Sequence, residues 1–177
     1  MYAERAKKLF EEGLNCSQAV VLAFKDVLGV DEQSLLKLSL PLGGGLARLR
    51  LTCGAASGLA VVMGLLLDSS DKAYVYEETR KLLLEVEKAN GSLICKDLLE
   101  SKNIIAEIGG NPEARTTSYY DNRPCSVIVY NTAKILENYL INKNESNSSS
   151  SVSIFLIIYS TPGVASSKFI LTPLFIC

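Results

Sequence analysis

The 177-residue chain contains no histidine. Without an imidazole it can build neither a Ser–His nor a Cys–His nucleophile pair, and it can form no histidine-containing zinc site or histidine-ligated haem from its own residues. It also has no Cys-x-x-Cys-His run, the usual attachment signal for c-type haem, so haem is not expected. Its 18 lysines and arginines stand against 19 aspartates and glutamates and form no basic run. Nucleic acid is therefore not an expected partner, because neutralising several phosphates needs a clustered positive face.

Uninterrupted apolar runs are missing as well. LAVVMGLLL is short and broken by Gly64, and the terminal IFLIIYSTPGVASSKFILTPLFIC is broken by Pro162, Gly163, Lys168 and Pro173. A membrane-spanning helix wants about 20 consecutive apolar residues, so membrane insertion is not expected. The opening MYAERAKKLFEEGLN is charged and amphipathic, unlike a secretory signal, which makes the cytoplasm the default location. In that reducing compartment separated cysteines are more often buried, metal-binding or redox-active than locked in structural disulfides.

What is present is helix-forming sequence. At 48% hydrophobic content the chain can bury a core of its own, and the pattern divides it into a helical domain over residues 1–142 and an extension over 143–177. Ala6, Leu9 and Phe10 recur at helical spacing up to Gly13. Asn15 and Gln18 form a capping-box pattern at the head of CSQAVVLAFKDVLG, a helix expected to run to Gly29. Asp31 caps a shorter helix that Pro41 and Gly43-Gly44-Gly45 terminate. GLAVVMGLLL is apolar nearly all round and reads as a buried central helix. DKAYVYEETRKLLLEVEKANG is amphipathic, LICKDLLESK follows the candidate cap Ser92, and CSVIVYNTAKILENYL begins just after Pro124. GGNPEARTTSYYDNRP reads as a loop. The expected fold is an all-α bundle of about five to six helices, followed by a Ser-rich linker and an apolar tail that are disordered or poorly packed.

Setting aside Cys177 in the tail, the cysteines are Cys16, Cys53, Cys95 and Cys125, separated by 37, 42 and 30 residues. None forms a local pair of the kind found in thioredoxin sites, zinc knuckles or ferredoxin loops. They share a position instead. Cys16 follows Asn15, Cys53 follows the candidate cap Thr52, Cys95 lies three residues after Ser92, and Cys125 follows Pro124. All four are thus expected in a first helical turn, where unpaired amides and the helix dipole favour a thiolate over a thiol.

Asn15-Cys16-Ser17-Gln18-Ala19-Val20, Gly43-Gly44-Gly45 with Arg48, Cys53-Gly54-Ala55-x-x-Gly58, Cys95-x-x-Leu98-Leu99 and Pro124-Cys125 together resemble the redox-active proteins named for their C_GCAxxG_C_C cysteine pattern. The resemblance covers about Tyr2 to Asn142. It implies a helical redox domain, related to that of split-Soret cytochromes, in which Cys16, Cys53, Cys95 and Cys125 are the active or ligating residues. Where that family usually has Gly-Gly-Gly-Met-Gly-Arg, this chain has Gly43-Gly44-Gly45-Leu46-Ala47-Arg48. The tail has no counterpart in the family.

Three functions are consistent with these residues. In the first, two cysteines exchange electrons with a redox partner protein or a small thiol or disulfide. Gly43, Gly44 and Gly45 then let backbone approach the site, and Arg48 and Arg50 stabilise thiolate charge. In the second, the four cysteines hold a [2Fe-2S] cluster or a zinc ion. In the third, the chain is a non-enzymatic helical interaction module, and Gly54 and Gly58 simply let helices pack closely. Homo-oligomer formation suits each of the three, and none requires turnover of a substrate. The triple glycine has a plainer reading as an interhelical turn and the arginines as a solvated face, while Glu77, Glu78, Glu85 and Glu87 read as a solvated helix face. Tyr119-Tyr120 sits in the polar loop, where it could cover a site.

Overall fold

Close passage of two small-residue helix faces organises the fold. The computed structural model describes the backbone of residues 1–159 and the side chains of residues 1–145. Among the described residues it is all-α, with helices α1 (Tyr2–Glu11), α2 (Cys16–Ala23), α3 (Lys25–Leu28), α4 (Glu32–Ser39), α5 (Gly54–Leu67), α6 (Lys72–Asn90), α7 (Cys95–Glu100), α8 (Thr117–Asn122) and α9 (Cys125–Tyr159), plus one 3-10 turn at Leu40–Leu42. Internal contacts divide the chain into Met1–Leu140 and Ile141–Cys177. Within the first unit α2 packs against α1, α4 and α5, and α5 in turn packs against α6.

Two helices share the centre, where the sequence suggested one. Every residue of α2 from Ser17 to Ala23 is buried, whereas α5 buries Gly54, Ala55, Ala56, Gly58, Leu59, Val62, Met63 and Leu67 and exposes Ala60 and Gly64. A Cβ at Gly58 would lie 3.0 Å from the Ser17 carbonyl oxygen and 3.2 Å from the Val20 Cβ. One at Gly54 would lie 3.3 Å from the Cys16 Cβ. The bare faces of Gly54 and Gly58, one helical turn apart, therefore admit α2 at close range and bring the Cys16 end of α2 beside the Cys53 end of α5.

Local chemistry explains the other boundaries. The Asn15 side chain accepts from the Gln18 amide at 2.9 Å while Gln18 Oε1 accepts from the Asn15 amide at 3.3 Å, the reciprocal capping box read from the sequence. Asp31 and Asp71 cap α4 and α6 with their side chains alone, accepting from the Ser34 amide and from the Ala73 and Tyr74 amides, and Gly91, at φ +93°, terminates α6. The helix expected to run unbroken to Gly29 instead divides at Phe24, where the backbone leaves helical geometry. The segment read as a loop around Tyr119 contains α8, capped by Thr116, whose Oγ1 accepts from the Tyr119 amide. These two changes take the seven helical segments named from the sequence to nine among the described residues, above the five or six expected for the bundle.

α9 runs past the expected boundary at Asn142 to Tyr159. No glycine or proline interrupts the sequence between Cys125 and Thr161, and serine and asparagine, although weak helix formers, do not stop a helix already under way. The apolar tail beyond Tyr159 lies outside the described residues. Among the described residues no helix is long and apolar enough to cross a membrane.

Candidate functional site

Each of the four described cysteines stands at a helix start. Cys16, Cys95 and Cys125 are the first residues of α2, α7 and α9, and Cys53 is itself the N-cap of α5. Thr52 and Ser92 are not the caps the sequence suggested. Thr52 instead pairs with Ile94 in an isolated antiparallel bridge, made by the Cys53 amide donating to the Leu93 carbonyl at 2.7 Å and the Cys95 amide to the Leu51 carbonyl at 2.6 Å. Side chains alternate across such a ladder, so Cys53 and Cys95 lie on one face, opposite Thr52 and Ile94. Both cysteines are buried, while Thr52 and Ile94 are exposed. Ser92 serves the turn, its Oγ accepting from the Ile94 amide and donating to Asp97.

All four cysteines are free and line one cavity of about 350 Å³. Gly43, Gly44 and Gly45 form part of its wall, together with Gly54, Tyr119 and the arginines Arg48, Arg50, Arg115 and Arg123. The glycine segment is more than a turn. Gly44, Gly45, Leu46, Ala47 and Arg48 all have positive φ, between +47° and +71°, so a left-handed turn continues through three residues that carry side chains. Each such residue costs about 1–2 kcal/mol. The segment is held by the Ala47 amide on the Pro41 carbonyl at 2.7 Å, the Leu51 amide on the Gly45 carbonyl at 3.0 Å, and Arg48 Nε on the Gly109 carbonyl at 2.7 Å. Strain of this kind concentrates where a site needs its backbone held in place. Here it lays bare glycine backbone against Cys95 and Asn15.

The arginines are not a solvated face. Arg50 is only 5% exposed, donates from Nε to the Glu107 carbonyl at 2.8 Å, and hydrogen-bonds to Cys95. Arg123 lies against Glu113 at 2.5 Å, and Arg48 reaches the same carboxylate at 3.9 Å. Arg115 stacks over the rings of Tyr119 and Phe10, at 4.6 and 5.0 Å.

Electrostatics separate the four thiols, contrary to the expectation that helix starts would favour thiolates throughout. The Cys16 thiol donates a hydrogen bond to the Cys125 sulfur, and this bond, reinforced by burial, holds Cys16 well above its ordinary range. The same bond holds Cys125 below its ordinary range; burial opposes it, and Arg123, Arg115 and Arg50 add to it. Burial pushes Cys53 up to about 12, although the Ala55 and Ala56 amides at the head of α5 pull the other way. Burial also raises Cys95, against the pull of Arg50. The helix-start effect is therefore present at Cys53 but loses to desolvation. Among the described cysteines, Cys125 is the one whose surroundings favour negative charge.

Among the described residues no three cysteine or carboxylate side chains converge closely enough to hold one metal ion. The structure places all the supporting residues read from the sequence at or beside the cavity: Gly43, Gly44, Gly45, Arg48 and Gly54 line it, and Gly58 sits one turn further along α5. Sequence reading missed Arg115, Arg123 and Glu113. All three lie in the stretch taken for a loop, and the available signal was two arginines concentrated in the ten residues before Cys125.

A family model described as "Putative redox-active protein (C_GCAxxG_C_C)" matches residues 14–139. No curated protein and no solved structure gives a significant match.

Proposed function

The chain belongs to the C_GCAxxG_C_C family of redox-active proteins, and on that footing we propose that Cys16 and Cys125 are a thiol/disulfide exchange couple, with Cys125 the attacking and Cys16 the resolving residue. The observation that carries this reading is the hydrogen bond from the Cys16 thiol to the Cys125 sulfur, which favours charge on one member and retains the proton on the other. Cys125 also faces a cavity through which a partner sulfur can reach it.

The exchange proceeds in two displacements. The Cys125 thiolate attacks one sulfur of a disulfide, forming a mixed disulfide and expelling the other half as a thiolate, which takes a proton from solvent. Cys16 then gives up its proton and attacks the Cys125 sulfur, closing a Cys16–Cys125 disulfide and expelling the second half. Two protein thiols are oxidised and one disulfide is reduced to two thiols. The reverse sequence oxidises two thiols at the protein disulfide's expense.

Cys53 and Cys95 stay protonated in this scheme and serve the walls of the site. The free state of all four cysteines suits a reducing compartment such as the cytoplasm. The test is to equilibrate the protein in graded mixtures of reduced and oxidised dithiothreitol and map its disulfides by peptide mass spectrometry. A Cys16–Cys125 link forming in a single two-electron transition is the expected result. Oxidation that joins other pairs, or stoichiometric iron, sulfide or zinc in anaerobically purified protein, would displace the proposal.

A further inference from the structure

Four of the chain's six arginines line the cavity, whereas none of the described lysines does. Glu113 is the one carboxylate among the lining residues, and it is already engaged by Arg123 and Arg48. Four guanidiniums against one carboxylate leave the lining at +3, or +2 with a thiolate at Cys125, in a chain whose net charge is −1. Positive charge has been gathered here out of proportion to the molecule.

Arg115 marks where that excess is least satisfied. Its Nη2 reaches the Leu14 carbonyl only at 3.5 Å, and its Nη1 is buried with no hydrogen-bond partner. Its other contacts are the ring faces of Tyr119, Phe10 and Tyr120, which accept positive charge but do not supply an oxygen acceptor. A buried donor without an acceptor costs free energy, and an anion held against the same guanidinium offsets its charge. Arginine offers a planar fork suited to an anionic oxygen pair, which a lysine ammonium does not.

Resting on the exchange couple proposed above, we infer that the cavity receives a small disulfide carrying negative charge beside its S–S bond, with the anionic group seated on Arg115 and one sulfur presented to Cys125. The volume of about 350 Å³ is that of a small-molecule site. The chemistry is that of the exchange couple: the ligand's S–S bond breaks, a Cys125–ligand S–S bond forms, and the anionic half not retained leaves as a thiolate and is protonated by solvent.

Arginines that merely stabilised the Cys125 thiolate would speed attack on every disulfide alike. A docking role adds discrimination between disulfides by charge, and only that discrimination tests the inference. Reduced full-length protein is mixed at one pH and low salt with 3,3′-dithiodipropionate (anionic), bis(2-hydroxyethyl) disulfide (neutral) and cystamine (cationic). The rate at which Cys125 is oxidised, as the mixed disulfide or as the Cys16–Cys125 disulfide that resolves it, is followed by mass spectrometry. Each rate is divided by that probe's rate with a neutral small thiol, which cancels intrinsic reactivity.

The normalised rate for the anionic probe should exceed that for the cationic probe by about tenfold or more, and 0.5 M sodium chloride should shrink the ratio. Arg115→Gln should lower the ratio and Arg115→Lys should recover part of it. If Arg115→Gln does not fold, the wild-type ratio and its salt dependence carry the test alone. Equal normalised rates for the three probes overturn the inference and leave the exchange couple standing. If no probe yields either a mixed disulfide at Cys125 or a Cys16–Cys125 disulfide, both are overturned.

Discussion

A Cβ placed on Gly45 would stand 2.6 Å from the Cβ of Cys95 and 2.9 Å from the backbone of Arg50, at a residue whose φ is +71°. Two constraints coincide there, a left-handed backbone and a cysteine packed against the missing side chain. Gly45→Ala should therefore destabilise the fold by about 1–3 kcal/mol. Gly64→Ala is the matched control, since Gly64 lies inside α5 with open space where a Cβ would go, and it should stabilise by about 0.5–1 kcal/mol. Urea unfolding of the two variants beside the wild type checks both signs, and equal shifts would refute the role given to Gly45.

Ala47 occupies the left-handed region at φ +47°, in the position where the family usually has glycine. Relief of about 1–2 kcal/mol of backbone strain on Ala47→Gly is partly offset by the extra unfolded-state freedom of glycine. The net expectation is a gain of about 0.5–1 kcal/mol, read as a rise in Tm. A fall in Tm would mean that the methyl group contributes packing that outweighs the strain.

Iodoacetamide should label Cys125 first. Because Cys125 lies below and the other three above their ordinary range, labelling of the folded protein near neutral pH should favour Cys125 by about tenfold or more. Cys16→Ala removes the largest contribution to the lowered value, so the pH midpoint of Cys125 labelling should move upward. Peptide mapping across pH 6 to 10 measures both effects, and an unmoved midpoint would mean that the arginines alone set it.

Alkaline pH should destabilise the protein partly through Cys53. Its thiol is pushed from the ordinary 9.0 to about 12, so above pH 9 the unfolded chain has released a proton that the folded chain retains. The unfolded state then binds fewer protons and stability falls with rising pH, by about 1.4 kcal/mol per unit for a single group, until the folded thiol titrates near 12. Below pH 9 this contribution is fully present. Cys53→Ala should flatten the decline between pH 9 and 11 measured by urea unfolding, and an unchanged slope would assign the loss to other groups.

The legible parts of this molecule were those set by neighbours in sequence. Asn15 with Gln18, Asp31, Gly91 and the helix start at Cys125 all act within a few residues, and each stands where the pattern placed it. The division at Phe24 and the Thr52–Ile94 bridge depend on partners folded in from elsewhere and left no local signature. The cysteines' shared position at helix starts was readable, but their ionisation was not. Dipole and amide effects are local, whereas desolvation of Cys53 and the charge of Arg115 and Arg123 beside Cys125 come from the packed whole. The left-handed turn was half visible: glycines announced Gly44 and Gly45, but nothing in Leu46-Ala47-Arg48 announced its continuation.

The bridge between Thr52 and Ile94 has a further consequence for how this chain can vary. In a Cys-x-x-Cys motif the covalent spacer sets the interval between thiols, so adding a residue destroys it. Here two backbone hydrogen bonds between segments distant in sequence set the placement of Cys53 and Cys95, and the 41 residues between them form a closed excursion through α5 and α6. Lengthening the turn at Asp68–Asp71 would enlarge that excursion without touching the stitch at its base, so the thiols' mutual placement is independent of the length of chain that separates them.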